Sequence, residues 1–223
     1  FDSMLSALLL TLFIVLGVCM TFAVSKVLSM TVLKGIPSSF TLELPPYRRP
    51  QIGKVIVRSI FDRTLFVLGR AIAVAAPAGL LIWIMANVQL DGITLLAHFS
   101  GFLDPFARLL GMDGVILMAF ILGLPANEIV IPIIIMAYMA QGSLLEFDSL
   151  AQLRDLLVNN GWTWITAVST MLFSLMHWPC TTTLLTIRKE SGSLKWTAMS
   201  FLVPTVCGIV LCFAFATVAR MFV

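Results

Sequence analysis

Charge is scarce in this sequence. Asp, Glu, Lys and Arg make up 11% of its 223 residues, where a soluble domain carries about a quarter. Hydrophobic side chains reach 60% and the mean hydropathy is +1.04, which excludes an ordinary soluble fold. The few charges are segregated, leaving long apolar tracts between them. Chemical motifs are missing as well. There is no P-loop, no glycine-rich dinucleotide fingerprint, no HExxH and no paired CxxC, so the chain shows no nucleotide site and no cofactor of its own. The four cysteines, Cys19, Cys180, Cys207 and Cys212, all lie in apolar segments, a pattern unlike an extracellular disulfide framework. No basic n-region or cleavage site follows Phe1, and the sequence reads as part of something longer. A nucleic-acid partner is not expected.

What remains is a polytopic helical membrane protein, with the lipid bilayer as its first partner. Tracts of about 20 apolar residues match ~30 Å of hydrocarbon at ~1.5 Å rise per residue. Residues 1–50 hold a first transmembrane helix (4–27) and a connector with three prolines in six residues, which forbids a regular helix. Residues 51–223 begin with an amphipathic helix, with Ile52, Val55, Ile56 and Ile60 on one face and Lys54 and Arg58 on another. Further apolar tracts follow at about 64–88, 114–140, 162–187 and 196–219, separated by polar connections at 89–113 and 141–161.

Charge decides the topology. Residues 26–63 hold seven Lys or Arg and residues 188–195 hold three, while 89–113 and 141–161 hold one Arg and three acids each. The positive-inside rule puts the basic loops in the cytoplasm and both acidic loops outside. The 114–140 tract must then enter and return on one side. Its arms, 114–123 and 128–140, are only ~15 and ~20 Å long as helices, enough to reach the midplane but not to cross. Leu124-Pro125-Ala126-Asn127 forms the expected tip. A competing reading makes the 162–187 tract re-entrant instead.

Four residues could carry chemistry. Glu128 lies too deep to reach either surface, and an intramembrane carboxylate faces a water-filled cavity or a partner; a purely structural carboxylate satisfied by backbone donors at the tip is the alternative. Asn127 adds an amide beside it. In His177-Trp178-Pro179-Cys180, Pro179 interrupts the helix, and a broken membrane helix survives where it lines a cavity or is buried in protein. Freed carbonyls and half-helix ends build ion sites at mid-depth. His177 and Cys180 are ligand types for late first-row divalent metals, and a carboxylate alongside them suits Fe(II) or Mn(II). A proline kink with a hydrogen-bonded His and a buried thiol is the plain alternative. Pro125 and Pro179 are the expected hinge or break positions.

Residues 42–50, Leu-Glu-Leu-Pro-Pro-Tyr-Arg-Arg-Pro, followed by the basic amphipathic helix, resemble the C-terminal membrane region of the ferrous-iron transport protein B family (FeoB). The resemblance continues through residues 123–130, Gly-Leu-Pro-Ala-Asn-Glu-Ile-Val. It resumes at 171–183, Met-Leu-Phe-Ser-Leu-Met-His-Trp-Pro-Cys-Thr-Thr-Thr, and at 188–196. It implies an all-α Gate-type repeat with spanning helices, a re-entrant hairpin and a broken helix, here the second of two repeats. It further implies Fe2+ as substrate, a bacterial or archaeal inner membrane, and small accessory Feo proteins as partners. A first Gate repeat and a GTP-binding domain using Mg2+ would lie outside this chain, which would not itself be an enzyme. A nucleoside-type or other small-solute Gate carrier, and a non-transporting Gate-fold membrane protein, are the alternatives.

Overall fold

Apolar tracts without i,i+2 alternation can satisfy their backbone in lipid only as helices, and helices are what form. The computed structural model describes residues 2–31, 51–58, 61, 64–90, 92–139 and 150–222. The proline-rich connector at 42–50 and the 141–149 part of the second acidic loop lie outside the described residues. Contacts divide the chain into two compact units, Phe1–Phe66 and Val67–Val223.

The first unit holds α1 (Asp2–Met30) and α2 (Ile52–Arg58). Stretch Met4–Met30 is long and apolar enough to cross a membrane, and Leu8, Leu12, Val15 and Phe22 are exposed along it. Helix α2 is short and leaves Ile56 and Val57 exposed alongside Arg58.

The second unit begins within α3 (Phe66–Asn87), which contains Pro77. A two-stranded hairpin follows, β1 (Gln89–Leu90) against β2 (Ile93–Thr94), turned through Gly92 at φ 79°. Then come α4 (Leu95–Leu109), α5 (Gly114–Leu122), a 3-10 turn at Asn127–Ile129, α6 (Val130–Tyr138) and α7 (Leu150–Asn159). The chain closes with α8 (Trp164–Met176), α9 (Thr181–Ser191) and α10 (Leu194–Arg220). Helices α4 and α7 form within stretches whose charges suggest plain polar connections. The cap at Thr94, which accepts from Ala97 N–H at 3.2 Å, starts α4.

Helices α5 and α6 fold back on one another. Asp113 caps α5 by accepting from Ile116 N–H at 2.8 Å, and its other carboxylate oxygen accepts from the Tyr138 hydroxyl at the end of α6. The two outer ends of the tract therefore meet. At the inner end a methyl on Gly123 would lie 2.5 Å from Val130 Cγ2, so glycine is what lets the second arm close against the first.

Helices α8 and α9 behave differently. Both pack on α10, antiparallel to it and in steady register. Trp164 meets Phe215 edge-on at 6.0 Å, Cys212 donates to the Ser169 carbonyl at 3.4 Å, and Trp178 stacks on Phe201 at 5.6 Å. Gly208 sits where a methyl would be 3.3 Å from Met176 Cβ. One continuous helix thus accompanies both halves of the broken tract, while the 114–140 tract doubles back. Gly192 ends α9 in the left-handed region at φ 61°, with Arg188 and Lys189 in the last turn, the usual stop for a helix whose terminal carbonyls attract cations.

Candidate functional site

Two interruptions of helical backbone meet in the second unit. The hairpin tip breaks α5 at Gly123, and Pro125 occupies the turn that follows. The other interruption, 177–180, separates α8 from α9, with His177 ending the first and Cys180 opening the second. They are joined through one oxygen. The Leu124 carbonyl accepts from Thr181 N–H at 2.8 Å and from the Thr181 hydroxyl at 3.1 Å. A carbonyl freed at the tip of one element thus satisfies a donor freed at the start of another.

His177 sits in an aromatic enclosure, with ring centres 5.1 Å from Phe120, 6.1 Å from Phe173 and 6.0 Å from Trp178. Its Nδ1 is 2.8 Å from the Ser174 carbonyl, which can only accept, so Nδ1 carries the proton. Nε2 then presents a lone pair, and that buried atom has no hydrogen-bond partner among the described residues. The Trp178 indole nitrogen is buried and unpartnered in the same way. Cys180 Sγ lies 3.1 Å from the hydroxyls of both Thr182 and Thr183. Pro179 has no N–H to place in a helical ladder, and its ring holds the segment open.

Asn127 and Glu128 stand in the 3-10 turn just past the tip, both exposed. The tip and the break are brought together; the four candidate side chains do not close into a cage. Among the described residues, no three of His, Cys, Asp and Glu gather tightly enough to hold a metal.

Beside the junction is a cavity of about 300 Å³, lined by Leu117, Ile121, Leu124, Phe173, Trp178 and Phe201 among others. At the opposite end of the hairpin, the Trp162 indole N–H donates to Tyr138 Oη at 2.8 Å, extending the Asp113–Tyr138 bond into a three-residue network. Asp104 accepts from Gly114 N–H at 3.1 Å and pairs with Arg108 Nε at 2.6 Å. Leu124 falls in the expected tip and Thr181 directly follows the broken motif, but nothing in the sequence pairs the two. An Asp immediately before an apolar run signals the Asp113 cap, but the Tyr138 and Trp162 partnerships span 25 and 24 residues and carry no local signal.

The chain matches two family models. One, described as "Gate: Nucleoside recognition", covers residues 68–194. The other, "Ferrous iron transport protein B C terminus", covers residues 10–62. Among curated relatives, a "Fe(2+) transporter FeoB" of Staphylococcus aureus (strain MSSA476) is 31% identical over 219 residues, covering 94% of this chain and 31% of the relative. Proteins of the same name from Synechocystis and Campylobacter jejuni are 29% and 25% identical, covering 94% and 93% of this chain and 33% and 35% of their own lengths. The chain thus spans about a third of the length of these relatives. No solved structure matches it significantly.

Proposed function

The chain belongs to the Gate family, as the C-terminal membrane region of a ferrous iron transport protein B, and from this we propose that it forms one half of a path for Fe2+ across a prokaryotic inner membrane. The observation that carries the reading is the junction of hairpin tip and broken helix at Leu124 and Thr181. Two helix breaks at one depth bring partial charges, carbonyl oxygens and polar side chains to a place where lipid would otherwise exclude them. A divalent ion at mid-depth has lost most of its hydration and needs those groups.

In this reading Glu128 offsets the charge of Fe2+, with Asn127 supplying an amide oxygen beside it. Cys180 offers a soft sulfur, and His177 an imidazole lone pair with no competing donor among the described residues. None of the four is fixed in a closed set, which suits an ion that must leave as readily as it arrives. Pro125 and Pro179 keep the two breaks open. In the longer protein, a GTP-binding domain with Mg2+ and a first Gate repeat would supply control and the opposing face. Small accessory Feo proteins would be further partners, and the chain would cross the membrane several times.

A nucleoside carrier is the second reading, favoured by the printed description of the matching Gate model. The cavity beside the junction argues against it. It is lined by Leu, Ile, Phe and Trp side chains, whereas a ribose needs several placed donors and acceptors. Uptake of labelled Fe(II) and labelled nucleoside by cells expressing the full-length protein separates the two. Saturable Fe(II) uptake without nucleoside uptake is the expected result, and the converse would overturn the iron reading.

A further inference from the structure

Three threonines in a row follow the break, and the first is tied to the hairpin. Thr181 commits both its N–H and its hydroxyl to the Leu124 carbonyl. Thr182 and Thr183 behave differently. Threonines inside the helices turn the hydroxyl back to the carbonyl four residues earlier, Thr170 to Thr166, Thr186 to Thr182, Thr205 to Phe201 and Thr217 to Phe213. Thr182 and Thr183 stand in the first turn of α9, and the residues four earlier, Trp178 and Pro179, belong to the break. Their hydroxyls meet Cys180 Sγ instead, each at 3.1 Å.

A thiol has one proton to give, and so has each hydroxyl. Sulfur can donate to one of the two threonines at most, so at least one hydroxyl donates to sulfur. A sulfur that holds a metal carries no proton and accepts from both. Two converging donors then fix the direction of the remaining lone pair, as outer hydrogen bonds orient the ligands of metal sites generally. Cys180 and Thr182 are half-buried and Thr183 is exposed, so the three stand toward the surface of the unit, whereas His177 Nε2 is buried.

We propose that Thr182 and Thr183 are positioning residues for Cys180, their hydroxyls holding Sγ in the orientation from which it meets Fe2+. The inference rests on the reading of Cys180 as part of the iron path. It divides the Thr-Thr-Thr run by task. Thr181 anchors the break to the hairpin tip, and the next two aim the sulfur set beside that anchor. Neither Thr182 nor Thr183 touches the ion; both act through sulfur.

The test measures labelled Fe(II) uptake against Fe(II) concentration in cells expressing the full-length protein, at matched protein levels. Thr182→Val with Thr183→Val keeps the shape and removes both hydroxyls, while Thr182→Ser with Thr183→Ser keeps the hydroxyls and removes two methyls. The Val pair should raise KM about tenfold with the maximal rate little changed, and the Ser pair should stay within about twofold of the parent. A role in packing alone gives the opposite order and would overturn the proposal. In a Cys180→Ala background the Val pair should have no further effect, because residues acting through one sulfur do not add. A further loss there would mean that the hydroxyls meet the ion themselves, which overturns the proposal equally. Thr183 is exposed, so Thr183→Val alone serves if the pair does not fold; KM should rise, and an unchanged KM counts against the proposal. Parental uptake by Cys180→Ala is a separate outcome, since it removes the iron reading of Cys180 itself and this inference with it.

Discussion

Replacing Tyr138 with Phe removes a single oxygen, and that oxygen holds the base of the hairpin. It donates to Asp113 Oδ2 and accepts from Trp162 Nε1 at 2.8 Å, so one hydroxyl links the start of α5, the end of α6 and the approach to α8. A hydrogen bond to a charged group is worth about 1.5–3 kcal/mol and a neutral one about 0.5–1.5. The three side chains are partly exposed, so water recovers part of the loss, and about 2 kcal/mol is the expected cost. The assay is denaturant unfolding of the purified protein in detergent, run as a double-mutant cycle with Asp113→Asn. Asn can still cap α5, so the cycle isolates the side-chain pair from the cap. A coupling of about 1 kcal/mol or more is expected for groups in direct contact. Additivity of the two substitutions within about 0.5 kcal/mol would refute the network as a structural tie. Labelled Fe(II) uptake should fall along with stability, because a frayed base no longer fixes where the tip sits.

Two predictions bear on the ion path itself. Glu128→Gln is nearly isosteric and touches no described partner, so expression and thermal stability should hold while Fe(II) uptake drops about tenfold or more, the order expected when a dication loses its counter-charge at low dielectric. Uptake at the parental rate would return Glu128 to a structural role. Cys180→Ser keeps a donor and acceptor for Thr182 and Thr183, and so removes sulfur while sparing packing. Transport should fall further for it than for His177→Ala at matched protein levels, and the reverse order would make the imidazole the principal ligand.

The helical class and the two breaks were legible in the sequence because each has a local cause. Pro125 and Pro179 cannot continue a ladder, and the two short arms of the 114–140 tract suit the fold-back that α5 and α6 make. Helix α4 was hidden by its own charges. Asp91, Asp104, Arg108 and Asp113 make the 89–113 stretch look like plain connection, although Leu95, Phe99, Phe102, Phe106 and Leu109 recur at helical spacing within it. The junction at Leu124 was illegible for a different reason. Its acceptor is a backbone carbonyl, which every residue has, and its donor lies 57 residues away. Asn127, Glu128, His177 and Cys180 could be nominated by residue type and depth, but which of them share a surface depends on how the hairpin closes on the broken helix.

The hairpin is tied to the α8–α9 span at both ends, through Asp113–Tyr138–Trp162 at the base and Leu124–Thr181 at the tip. Moving the tip away from the break would strand a carbonyl and two donors, a cost of about 1–3 kcal/mol for each buried group left unpaired. The unit is therefore stiff in the place where an opening would most obviously be drawn. A transition that exposes the path first to one side and then to the other is easier if hairpin, α8 and α9 travel together against whatever faces them, leaving these bonds intact. Asn127 and Glu128 fit that arrangement, since they stand exposed just beyond the tip. They would then belong to the moving boundary, and Fe2+ would be held between this unit and the opposing one, not inside this unit alone.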